Sequence, residues 1–433
     1  MKKVSFTAAG DALTVRRITQ DTERFAPLAE FIKSADARLV NLEAVISDGS
    51  CFPSAFCGEP WVTAEPEVLE DLLQYGFNML GCANNHSMDY SYEGLYQTMA
   101  ACRNAGVAYA GIGKNLFEAE SPAVLELPQG RVGLVSVTSS FNMAMRAGYQ
   151  GPKLPGRPGV NCLRTSTKYT VTGRQLEVLK EIAEETAMNG QHNNAVDAGF
   201  CLPDPEGSLP FLLNYFYEGE KTEKHTCCHR GDLERITKII RESADYVDYL
   251  VVMIHSHRIK RNSYNEPADY LEEFSRACID AGAAAVVGGG THQFKPIEIY
   301  KGRPIFYSLG DFIFQNHLVP VQPPDYMEFY RLPPTASTVE AVRANRSYGR
   351  LPLQADRGNY LSVIPYFEFE GERMSRLVLK PIELGFELPE TLKGIPGETD
   401  EETARGIAGF LSKISAPYGT ELEYRDGLIE VRL

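Results

Sequence analysis

The sequence predicts an α/β protein whose strands and helices alternate and whose polar residues gather at the ends of strands. Two observations carry this. Short apolar runs, such as Val4 to Ala9 and Tyr249 to Ile254, recur between stretches with helical spacing. Five of these runs lead directly or through a short glycine turn into a polar cluster: Gly10 and Asp11; Asn41 to Glu43; Asn84 to Asp89; His255 to His257; Thr291 and His292. Strand C-termini are where α/β folds hold ligands, so these clusters are candidates for one site.

The elements follow in order. Val4 to Ala9 reads as a buried strand ending at Asp11, and Phe25 to Ser34 as a helix. Ala37 to Leu42 is a second strand, ending at Glu43. Residues 47–61 are loop-like. Val68, Leu69, Leu72 and Leu73 give Glu67 to Tyr75 a helical stripe. Phe77 to Ala83 is the third strand, and Tyr92 to Ala105 is a helix stopped by Gly106. Val132 to Val137 is a strand. From about 141 to 230 the chain is rich in Gly, Pro and Asn, with one helix from Gly173 to Met188; this reads as an insertion or cap. Asp232 to Ser243 returns to helix, Tyr249 to Ile254 to strand, Glu272 to Ala281 to helix. Ala284 to Gly288 and Ile305 to Leu309 are the last core strands. Residues 318–358 are Pro-rich and irregular, and alternating patches beyond 360 predict a β-rich C-terminal extension. The expected division is 1–320 for the main domain and 321–433 for the extension.

Composition narrows the function. The chain has 433 residues, 43% of them apolar, and a net charge of −14. An acidic surface argues against broad nucleic-acid binding, which needs basic patches to displace counterions. An acidic substrate would need a local cationic site. The start, Met1 to Ala9, has too short an apolar run for a signal peptide, and no run of 18 or more apolar residues predicts a membrane span. Nine cysteines without framework spacing fit free thiols in a reducing cytoplasm.

The polar clusters combine carboxylate, amide oxygen and imidazole. That donor mixture suits Mn, Fe or Zn, singly or as a pair that polarises a substrate oxygen and activates water. Taken singly, each has a plainer reading. Asp11 fits a helix N-cap or turn, Asn84 to His86 a polar turn, and His255 a satisfied core imidazole. Cys227 and Cys228, between His225 and His229, match no zinc spacing and read as loop thiols. Arg16, Arg17, Arg258, Lys260 and Arg261 flank the clusters, as surface charge or as recognition of a carboxylate or phosphate.

The segments GDALTV (10–15), VNLEAVISDG (40–49), ANNHSMDYSYEGL (83–95), GIGKNLFEAESPAV (111–124), VVMIHSHR (251–258) and VVGGGTHQFKPIEIYKGRPIFYSLGDFIF (286–314) together resemble the CapA family of bacterial poly-γ-glutamate capsule proteins. The resemblance covers residues 1–320 apart from the insertion, and the third and last segments are the specific ones. It implies the calcineurin-like metallophosphoesterase fold, a β-sandwich flanked by helices. It further implies that Asp11 and His292 bind a first metal, that Glu43 bridges, and that Asn85 and His255 bind a second. His86 becomes a general acid oriented by Asp89. The sequence departs from the family pattern at three places. His255-Ser-His-Arg-Ile replaces His-x-Gly-x-Glu, Gly290 stands where an imidazole is expected, and Asp311 replaces an Asn. His257 is the candidate to replace the missing imidazole, and the ion count is one or two. Arg16, Arg258 and Asn84 are candidates for substrate binding.

The reading is therefore a cytoplasmic metal-dependent hydrolase of a phosphoester or of a γ-glutamyl or peptide-like anion, with a possible link to capsule or poly-γ-glutamate metabolism. Its expected partner is a small-molecule or peptide-like anionic substrate, with no nucleic acid. Two alternatives stand beside it: a non-catalytic binding or assembly protein for an acidic polymer, and a metal-free acid–base enzyme acting on a peptide.

Overall fold

The strand Lys3–Leu13 lies at the middle of a ten-stranded sheet and explains most of the architecture. In the computed structural model, which describes residues 3–18, 22–212, 214–347 and 353–433, it is buried along almost its whole length. Side chains alternate across a strand. Val4, Phe6 and Ala8 therefore face one core and Ala9 another, and an irregularity in the ladder between Ala8 and Asp11 turns Ala12 to that second core as well. A strand covered on both faces reads as a continuous apolar run, which is what the sequence has.

One neighbour is Ala37–Leu42, running parallel, followed by Met79–Gly81 and Ala108–Ala110, also parallel. The other side is shared. Leu361–Glu370 pairs antiparallel with residues 3–7, and Asp311–Phe314 pairs parallel from Asp11 onward. A second sheet of six strands has Gly130–Thr138, Tyr249–His255, Ala285–Gly289 and Arg303–Phe306 side by side and parallel. Between the sheets lie Phe6, Leu39 and Met79 from the larger, and Leu134, Val251 and Val287 from the smaller. Phe6 stacks on Phe367 with centroids 5.0 Å apart and meets the edge of Tyr249 at 5.9 Å. Each fully buried side chain of this kind contributes about 1.5–3 kcal/mol.

Helices cover both outer faces. Thr22–Lys33, Val68–Tyr75 and Ser91–Asn104 pack Leu28, Ile32, Leu72 and Leu95 against the larger sheet. Arg230–Ser243 and Asp269–Asp280 pack Ile236, Ile240 and Phe274 against the smaller. The parallel strands of both sheets end at one edge of this sandwich, and the polar clusters follow those ends.

Three stretches differ from the sequence reading. The insertion is not an irregular segment with one helix. Ser208–Phe211, Asn214–Glu218, Thr165–Val171 and Glu223–Cys228 form a separate four-stranded sheet, beside helices Gly173–Glu185 and Gly190–Asp197. Two of its strands are polar and largely unburied (TSTKYTV and EKHTCC), and the other two (SLPF and NYFYE) are only four and five residues long, so the sheet lacks the longer apolar runs of core strands. Cys227 and Cys228 sit on one of these strands rather than in a loop. Residues 318–358 hold two helices, Pro324–Phe329 and Thr338–Ser347, while 348–352 lie outside the described residues. Beyond 360, Leu361–Glu370 and Arg373–Glu383 pair within the larger sheet, so residues on both sides of position 320 build it. A helix, Glu401–Ser415, capped by Asp400 accepting from the Thr403 amide, was missed; its buried stripe, Ala404, Ile407, Ala408 and Leu411, is half alanine, and Gly406 and Gly409 on its exposed face weaken the helix signal. Among the described residues no helix is long and apolar enough to cross a membrane.

Candidate metal centre

Asp11 and Asp311 face each other because two strands meet at glycines. Asp11 pairs with Asp311 across the parallel ladder. A Cβ on Gly10 would lie 1.7 Å from the Gly310 carbonyl oxygen, so only glycine permits this approach. Asp11 accepts from the Gly290 amide at 2.6 Å and from Asn41 Nδ2 at 2.7 Å. Burial alone would raise its pKa, but His255, His292 and Asn41 hold it below the ordinary value.

His292 arrives from Ala285–Gly289 through a tight turn. Gly290 has φ +110°, and a Cβ there would lie 2.6 Å from the Ser256 carbonyl. This close approach accounts for the missing imidazole at 290, since no side chain fits. His292 itself takes φ +59°, a left-handed conformation that costs about 1–3 kcal/mol and that functional sites tolerate. Its Nδ1 lies 3.0 Å from both Asp311 oxygens, leaving Nε2 for the centre. A carboxylate behind a metal-binding imidazole fixes tautomer and orientation. Burial pushes the Asp311 carboxyl up to about 6 despite His292 beside it.

Glu43 is fully buried just past the strand Ala37–Leu42, and neither of its oxygens has a hydrogen-bond partner. His255 Nε2 stands 3.4 Å away and His86 Nε2 3.9 Å away. Burial, reinforced by Asp11, Asp311 and Asp89, raises its pKa well above the ordinary value. An unpaired buried carboxylate is costly unless something cationic joins it.

His255, His257 and Asn85 converge beside it. His257 Nε2 lies 3.1 Å from His255 Nε2 and 3.1 Å from Asn85 Oδ1. Burial and the neighbouring imidazoles push His257 well below its usual pKa, and burial lowers His255 as well. Donor atoms of Asp11, Glu43, His292 and Asp311 lie within 4.8 Å of one another, as do those of Glu43, His257 and His292. Neutral imidazoles, an amide oxygen and an orphaned carboxylate match the donor chemistry of Mn, Fe or Zn.

His86 Nδ1 lies 2.7 Å from Asp89 Oδ2. Asp89 also accepts from the Gly58 and Val62 amides, at 2.8 Å each, so the carboxylate is held from three sides. This leaves His86 Nε2 turned toward Glu43.

The candidate substrate residues divide. Asn84 is spent on the scaffold: its amide donates to the Leu42 carbonyl and Asn41, and accepts from the His86 amide. The sequence reading placed it in substrate binding, whereas its side chain is fully buried. Arg16 is exposed and points to the Glu390 carbonyl at 3.4 Å. Arg258 is exposed directly after His257 and is the better placed of the two. Arg17 is paired with Asp71 and Lys260 with Asp269, which makes them structural.

Three residues here had no role in the sequence reading. Asn41 ties Asp11 to His255, lying 3.2 Å from His255 Nδ1. In the sequence Asp311 stands only as a departure from the family pattern, although it repeats the strand-end Gly-Asp of positions 10–11. Lys295 could not have been found. It is fully buried, its ammonium donates to Thr291 Oγ1 at 2.6 Å, and burial lowers its pKa to about 7.

Known proteins resemble this chain. A family profile described as bacterial capsule synthesis protein PGA_cap matches residues 5–316. An uncharacterized protein, y4sH of Sinorhizobium fredii, is 31% identical over 445 positions, covering 99% of this chain and 93% of its own length. The PGA biosynthesis protein CapA of Bacillus subtilis is 26% identical over 251 residues, 58% of this chain and 45% of its own. The capsule biosynthesis protein CapA of Bacillus anthracis is 22% identical over 325 residues, 73% and 61% of the two chains.

Proposed function

The chain belongs to the bacterial capsule synthesis protein PGA_cap family, within the metallophosphoesterase-like superfamily, and from that premise we propose that it is a metal-dependent hydrolase of an anionic substrate. The substrate is a phosphoester or a γ-glutamyl or peptide-like anion, and the names of the CapA relatives favour capsule or poly-γ-glutamate metabolism. The observation that carries the reading is Glu43, a fully buried carboxylate with two unpartnered oxygens between two groups of ligand-type atoms.

Asp11 and His292 would hold a first divalent ion and Asn85, His255 and His257 a second, with the Glu43 carboxylate available to either. Bound ions supply Lewis acidity toward a substrate oxygen and the charge that makes water nucleophilic at neutral pH. The protein's own groups do the rest. Asp311 fixes the His292 ring, and Asn41 fixes Asp11. Asp89 holds His86 Nδ1, so that Nε2 delivers a proton to the leaving atom as its bond breaks, the oxygen of a phosphoester or the nitrogen of a γ-glutamyl amide. Arg258 at the rim receives the substrate's remaining negative charge.

The test is a screen of phosphoesters and γ-glutamyl peptides with Mn-, Fe- and Zn-loaded protein. Turnover that falls about 10²–10⁴-fold in His86→Gln supports the proposal. A metal-loaded protein inert on every substrate, yet binding polyglutamate, would favour the binding-protein alternative instead.

A further inference from the structure

A cleft of about 250 Å3 opens beside the centre, and the mechanism above does not use it. Its walls include Trp61, Tyr326, Phe329 and Tyr330, with the acids Glu59 and Asp325. Its described lining contains no Lys, Arg or His. The chain connects it to the centre from two sides. Gly58, whose carbonyl accepts from Asn85 Nδ2 and whose amide donates to Asp89, leads straight into Glu59 and Trp61. Asn316 follows two residues after Phe314, whose ring packs on His292 at 5.2 Å.

The cleft is preformed. Buried Gln322 accepts from the Trp61 amide at 3.0 Å and donates to the Trp61 carbonyl at 2.9 Å. The indole Nε1 donates to the Ser54 carbonyl at 2.9 Å. Tyr326 and Phe329 each set a ring edge-on to Tyr330, with centroids 5.1 Å apart. Asn316 carries a buried Oδ1 with no hydrogen-bond partner, as its amide is oriented here. Aromatic faces attract cations, carboxylates add charge, and a vacant carbonyl-type oxygen accepts an N–H.

We propose that this cleft binds a primary ammonium group, of the kind carried by an amino acid, a peptide N-terminus or a lysine side chain. Resting on the hydrolase reading for its second half, the proposal makes the substrate bipolar. Its anionic group reaches the centre while its ammonium sits among Trp61, Tyr326 and Asp325. A negative cleft beside a metal-charged centre would select such molecules over polyanions.

Trp61 is the chain's only tryptophan, so its fluorescence reports on the cleft directly. The experiment titrates metal-stripped full-length protein with n-butylammonium chloride, with pentan-1-ol as the neutral analogue and NaCl as the ionic-strength control. The expected result is a saturable fluorescence change with butylammonium alone, weakened at least ~5-fold in Asp325→Asn and in Tyr326→Leu. Both positions are partly exposed, and thermal melts check that the variants fold. No saturable change, or equal binding of pentan-1-ol, would overturn the proposal. Because the titration needs no metal, its failure leaves the hydrolase reading standing, and failed metal loading leaves the cleft standing.

Discussion

Glu43 sets the balance between stability and function at the level of single residues. Without ions, its buried and unpartnered carboxylate destabilises the fold. Glu43→Gln should therefore raise the melting temperature of metal-stripped protein, by about 1–3 kcal/mol of stability, while it lowers metal uptake. Paired melts and elemental analysis check this; a variant that melts lower in chelator would contradict it. Asp89→Asn, by contrast, disturbs an acceptor bonded by His86, Gly58 and Val62, and should lower both turnover and stability. At this scale the gathering of Asp11, Glu43, Asn85, His86, His255 and His292 in one place was legible, because each follows an apolar run and strand ends gather polar groups. Lys295 was not. It sits within a short stretch between Phe294 and Pro296, and nothing in that stretch announces that its ammonium is buried. The scaffold bonds of Asn84 were not legible either, because a polar side chain at a strand end can serve the scaffold as readily as a ligand.

Two elements carry predictions of their own. The turn Gly290 to His292 joins a positive φ to a close backbone approach. Gly290→Ala should destabilise the fold by about 1–3 kcal/mol and weaken metal binding more than it unfolds the protein. A denaturant melt with a parallel metal titration separates the two effects. The inserted sheet is tied to the helix Arg230–Ser243 by Arg164, whose Nε and Nη2 donate to Asp232 at 2.8 and 2.9 Å. Burial alone would raise the Asp232 pKa, but Arg164 brings it below the ordinary value. A lowered carboxylate pKa adds stability above its unfolded value, near 3.9, and that stability is lost as pH falls through the lower folded value. Asp232→Asn should thus cost about 1–3 kcal/mol at neutral pH and flatten the loss of stability below pH ~4. Acid-range melts read this directly. Core strands were legible at this scale because both faces are covered. The inserted strands were not, because two of them carry Thr, Ser and Lys at exposed or half-buried positions and the other two are short and lie among Pro, Gly and Asn.

Across the whole molecule, the sandwich brings Asp11, Glu43, Asp89 and Asp311 into one buried region at the ends of its parallel strands. The fold class was legible from the alternation of strands and helices. The joining of residues 361–383 to the same sheet as Asp11 was not, since pairing partners so distant in sequence leave no local pattern. Concentrating acids this way favours cations over bare protein. Saturating Mn at about 100 times its dissociation constant should stabilise the native state by ~2.7 kcal/mol, visible as a raised melting temperature. The most direct test of the centre is the metal content of purified, Mn-, Fe- or Zn-loaded protein, measured by elemental analysis beside Glu43→Gln. The structure leads us to expect about two ions per wild-type chain and fewer in the variant. A folded wild-type protein that takes up no ion from any of the three would contradict it.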